Sequence, residues 1–99
     1  MDRHALAVMD LRHAVLASPG AVEQATREAA HHETPVPEPW VDYVAKVRDA
    51  SYLITDADIE ALIAAGCSED AIFELTLAAA IGAATRRLDA GLRAVREAD

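Results

Sequence analysis

The stretch from Thr55 to Val95 constrains this chain more than any other, because it holds two helix starts, one helix stop and no proline. Thr55 is placed to cap a first helix, its hydroxyl accepting from a first-turn amide that has no partner inside the helix. Asp58, three residues on, completes a shortened capping box and sets negative charge at the positive end of the helix dipole. Ile54 and Ile59 flank this cap as a hydrophobic staple. Gly66 then supplies the left-handed residue that ends a helix at little conformational cost. The pattern restarts at once: Ser68 is a second N-cap, Glu69 and Asp70 fill the first turn, and Cys67 and Ile72 occupy the staple positions.

From Glu69 to about Ala98 the chain reads as one long helix. Phe73, Leu77, Ala80, Ala84, Leu88, Gly91 and Val95 recur at spacings of three and four and form one apolar stripe. Glu74, Thr85, Asp89, Arg93 and Arg96 fall opposite, on the side expected to meet solvent. Over the first half a second stripe, Ile72, Leu75, Ala79 and Ala83, leaves little polar circumference, so that half is expected to be buried on most sides. Gly82, within the small-residue run Ala78 to Ala84, lets neighbouring helices approach closely. At about 1.5 Å per residue the helix would span roughly 45 Å, more than a compact globule of this size needs. Part of it is therefore expected to pack on another subunit. Core or interface packing is assigned to Trp40, Val44, Phe73, Leu77, Ile81, Leu88 and Leu92.

The rest of the chain adds shorter helices. Asp2 to Ala17 reads as a helix broken by Ser18-Pro19-Gly20, and Ser18-Pro19 would launch a second helix over about Pro19 to His31. Val22 is the only large aliphatic residue there, which leaves alanines to do the packing. Glu33 to Pro39 is a linker whose three prolines hold it extended. Pro39 would then sit in the first turn of a helix carrying Trp40, Tyr43, Val44 and Val47 and ending near Ser51. The expectation is a single all-α domain over 1–99, about five helices, with an N-terminal helical pair (1–32), a linker (33–39) and the remainder (40–99).

With 17 acidic against 9 basic residues and a net charge of −8, the surface disfavours nucleic acid and anionic membrane as partners. One cysteine fits a reducing compartment, and neither a signal peptide nor a membrane span is evident, so a cytoplasmic location is expected.

Few residues invite chemistry. Cys67 precedes a helix N-terminus, where a thiol can be activated, but Glu69 and Asp70 oppose that effect, and a staple needs only a small apolar side chain. Packing is preferred for it over a redox or ligand role. Glu28 and His32, four apart, could share a helical face and hold a metal, yet spacing supplies two ligands where such a site wants three or four. A polar helix end at His31-His32 is the simpler account. Arg86-Arg87, Arg93 and Arg96 suit the closing turns of a helix, with Asp89 and Glu97 as pairing partners, better than an anion site. No cofactor is implied.

ITDADIEALIAAGCSEDAIFELTLAAAIGAATRRLDAGL resembles the C-terminal part of the carboxymuconolactone decarboxylase and alkylhydroperoxidase D-like (AhpD-like) family. The matching features are the capped helix from Asp56 to Gly66, the restart from Ser68 to Phe73, and Arg87-Leu88 after the small residues. Extended back to Trp40, the resemblance covers a little over half of the chain. It implies an all-α fold and subunits that pack helix on helix into dimers, trimers or hexamers. Peroxidase members carry a Cys-x-x-Cys pair followed by a histidine; this chain has none, and Cys67 falls in the turn between helices, so no catalytic residue carries over. The expectation is a non-catalytic assembly or interaction module that forms a homo-oligomer or joins a catalytic paralogue. The alternative is a small enzyme, either a Cys67-dependent antioxidant or a decarboxylase or isomerase working in an intersubunit pocket.

Overall fold

The structure, a computed structural model, describes residues 20–98; the helix expected over Asp2 to Ala17 lies outside the described residues. Those residues form α1 (Gln24–His31), α2 (Val41–Asp49), a single 3-10 turn (Ser51–Leu53), α3 (Asp56–Ala64) and α4 (Glu69–Ala98), and no strand is found among them. The fold is all-α.

The capping chemistry sets the ends of α3 and α4. The Thr55 hydroxyl accepts from Asp58 N, and Asp58 Oδ2 accepts from Thr55 N at 2.9 Å, the reciprocal pair of a capping box. At the other end Gly66 has φ 100°. Gly66 N donates to Ile63 O and Cys67 N to Leu62 O, each at 3.0 Å, which is the Schellman arrangement that occupies the last free carbonyls. Ser68 Oγ then accepts from Ala71 N at 3.1 Å and opens α4. Ile54, Ile59 and Cys67 are half-buried against the core, and Ile72 is buried, as staple residues should be.

Three boundaries differ from expectation. α1 starts at Gln24 rather than Pro19, because Glu23 ahead of it is extended, with ψ 140°, and stands as the N-cap residue. The segment before it is held by α4 instead: the amides of Ala21 and Val22 donate to Glu74 Oε1 and Oε2, at 2.9 Å each. α2 ends at Asp49 rather than near Ser51, and Ala50 passes the chain into the 3-10 turn. Pro39 also lies ahead of α2, within a turn closed by Trp40 N donating to Pro37 O at 3.0 Å, and not in its first turn.

α1 and α2 lie along α4, and α3 touches it least. The core joins large side chains from outside α4 (Val22, Trp40, Tyr43, Val44, Val47 and Leu62) to small and medium ones on it (Ala71, Ile72, Leu75, Ala78 and Ala79). Gly82 marks the closest approach: a Cβ there would stand 2.1 Å from the His31 carbonyl oxygen at the end of α1. His31 is thus buried rather than part of a polar helix end, whereas His32 is exposed.

The stripe that runs from Phe73 to Val95 is the one left largely uncovered. The buried face of α4 is Ala71, Ile72, Leu75, Ala78, Ala79, Gly82 and Ala83. Among the residues given packing roles, Trp40 and Val44 are in the core, Leu77 and Ile81 are half-buried, and Phe73, Leu88 and Leu92 are exposed. The reason is steric. The bulky residues of α1 and α2 need a partner whose backbone comes close, and the alanine face of α4 allows this where the Phe73–Leu77 face would not. Residues 87–98 are exposed throughout. The radius of gyration, 14.8 Å, accordingly exceeds the roughly 13 Å of a compact chain of this length.

Candidate functional site

Arginines gather where α1 ends. Four carbonyls at a helix C-terminus lack partners within the helix. Arg48 of α2 answers two of them, its Nη2 donating to Ala29 O and Ala30 O at 2.9 Å and its Nε to Ala30 O at 3.2 Å. Arg86 of α4 adds Nη1 to His31 O at 2.6 Å, and its Nε lies 3.3 Å from Glu33 Oε1. Arg87 Nη2 donates to the Arg48 carbonyl and so ties α4 to the end of α2. A shallow cleft of about 250 Å³ separates these groups. Burial and, after it, the Arg86 charge pull the Arg48 pKa down, though a guanidinium remains ionised at any ordinary pH. These donors are committed to backbone oxygens and the Glu33 carboxylate, so the cluster works as a clamp. The ion pair of Arg86 is with Glu33 on another element. Arg48 was not legible as a cap from sequence, since its targets lie 14 to 19 residues away.

Cys67 lines a second cleft, about 330 Å³, beside Trp40, Thr26, Glu23 and Ser68. Burial raises the thiol pKa. That favours the protonated form and opposes the activation a helix N-terminus can give. The thiol is half-buried and packs against the core.

Glu28 and His32 do not assemble a metal centre. Glu28 Oε1 accepts from the Gln24 side chain at 3.1 Å, and the His32 ring stands edge-on to His31. Among the described residues no group of three or more His, Cys, Asp or Glu could hold a metal ion, and no helix is long and apolar enough to cross a membrane.

What remains is the outer face of α4. Phe73 is 67% exposed, Leu88 56%, Leu92 45% and Val95 66%, and Ala80, Ala84 and Gly91 between them are open as well. One row of side chains can expose this much carbon only at a cost in water, about 25 cal/mol per Å². Past Arg87, no hydrogen bond or ion pair ties α4 to the other described residues. The apolar face and the distal half of α4 are thus left without cover among the described residues.

No family model, curated protein or solved structure matches the chain.

Proposed function

We propose that this chain is a homo-oligomeric assembly module of the AhpD-like type, in which helices of neighbouring copies cover one another. The observation that carries this reading is the apolar outer face of α4, continuous from Phe73 to Val95 and opposite the side that packs on α1 and α2. The capped α3, the Gly66 stop and the Ser68 restart give the local geometry on which the family resemblance rests. Thiol chemistry at Cys67 is the weaker reading, because burial there favours the protonated sulfur.

Native mass spectra of the reduced protein, recorded before and after a brief peroxide pulse, test both readings together. A discrete oligomer unchanged in mass by peroxide is the expected result. A monomer at every concentration removes the assembly reading. Rapid addition of oxygen to Cys67, or a new disulfide between copies, makes the thiol the functional group instead.

A further inference from the structure

The geometry points to a particular partner and pose for this face: a second copy of the chain, antiparallel along α4, with the two-fold axis between Ala84 and Leu88. This inference rests on the assembly reading above and makes it specific.

The residues of the outer face set the pose. Leu77 and Ile81, half-buried, and Ala84, Leu88, Gly91 and Val95, exposed, advance by alternating steps of four and three, the repeat that keeps one seam facing a partner helix along its length. The seam alternates bulky and small side chains in a way that complements its own reverse. With the axis between Ala84 and Leu88, an antiparallel copy sets Leu77 against Val95, Ile81 against Gly91 and Ala84 against Leu88. All six seam residues are used, and two of the three layers pair a large side chain with a small one. A parallel, in-register copy would stack Leu88 on Leu88 and leave Gly91 facing Gly91, crowding one layer and emptying the next.

The helix dipoles select the same direction. An antiparallel pair opposes them favourably. A parallel pair would align like ends. The body does not obstruct the pose, since α1 and α2 pack on the opposite face of α4. Residues 87–98, uncovered in the single chain, then lie along the first half of the partner's α4.

The test uses the full-length chain with Cys67→Ser and Glu97→Cys, carrying a nitroxide on the new thiol and read by sedimentation and pulsed dipolar spectroscopy. The pose predicts a dimer with a label separation of about 33 Å, from eleven residues on each side of the axis. A dimer or higher oligomer with labels within about 20 Å overturns the antiparallel pose but leaves the assembly reading standing. A monomer at tens of micromolar, as when residues 1–19 cover the face instead, overturns both. Ala84→Glu provides the second arm. Ala84 is exposed in the single chain, so the variant should fold and keep its helical circular dichroism. Across the seam, however, it places a carboxylate against Leu88 and should weaken association about 100-fold or more. Unchanged association in Ala84→Glu overturns the pose.

Discussion

Gly82→Ala sets two well-characterised effects against each other, and the structure decides the sign. In an exposed helix the change gains about 1 kcal/mol, because glycine is the more flexible residue in the unfolded chain. At position 82, however, the new Cβ would lie 2.1 Å from the His31 carbonyl oxygen and 2.9 Å from its carbon. Those are backbone atoms and cannot rotate away, so the end of α1 must retreat by about 1 Å to restore normal contact. Such a retreat strains the Arg86 Nη1–His31 O bond at 2.6 Å and loosens contacts along the α1–α4 seam. Overpacking of this kind costs about 1–3 kcal/mol, more where backbone must move, and a parting of 0.5–1 Å forfeits a quarter to a half of each contact's attraction. After the helix-propensity gain is subtracted, a net loss of up to about 2 kcal/mol is expected. Urea titration followed at the helical circular dichroism band measures it. Gly91→Ala is the internal comparison, since its added methyl meets nothing within 4 Å in the single chain. Read at concentrations too low for association, that variant should gain about 1 kcal/mol. If Gly82→Ala also stabilises the protein, the close approach of α1 to α4 is wrong.

Three further outcomes follow from the same contacts. Glu74→Ala leaves the Ala21 and Val22 amides without their carboxylate and should cost about 1–3 kcal/mol, with Glu74→Gln losing less; a thermal midpoint unchanged in Glu74→Ala would show that the bridge contributes nothing. Asp58 is held below the usual carboxylate range, first by the Lys46 hydrogen bond and then by the Thr55 amide. A group with a lowered folded pKa stabilises above its unfolded pKa and loses that contribution as pH falls through the folded one. The stability difference between the native protein and Asp58→Asn should therefore be flat above about pH 5 and shrink through the carboxylate range and below it; a difference that stays constant to the lowest pH refutes the Lys46–Asp58 pairing. Cys67, whose pKa burial raises, should react with iodoacetamide more slowly than free cysteine at neutral pH, and a faster reaction would mark an activated thiolate.

The Cys67 environment shows why a motif and its chemistry separate here. A cysteine ahead of a helix N-terminus is a local pattern, and the staple it forms is local too, so both are legible along the chain. Whether the thiol is activated depends on what covers it. The core beneath it provides the desolvation that raises its pKa, and that core is assembled from residues distant in sequence.

The same division runs through the fold. The Thr55–Asp58 box, the Gly66 stop and the Ser68 cap join groups within about one or two turns of each other, so residue identities alone determined where α3 and α4 begin and where α3 ends. Periodicity likewise showed that α4 has two apolar faces. It could not show which one the chain itself would cover, because a repeat in sequence names a face but not the partner for it. That was decided by Gly82 and the alanines beside it, which admit α1 and α2 closely enough for Trp40, Tyr43 and Val44 to be buried. The hold on the segment before α1 and the arginine clamp were decided at the same level, since Glu74 and Arg86 act across more than 50 residues of chain. Short-range hydrogen bonds are written in the order of the residues; long-range ones exist only after the helices have packed.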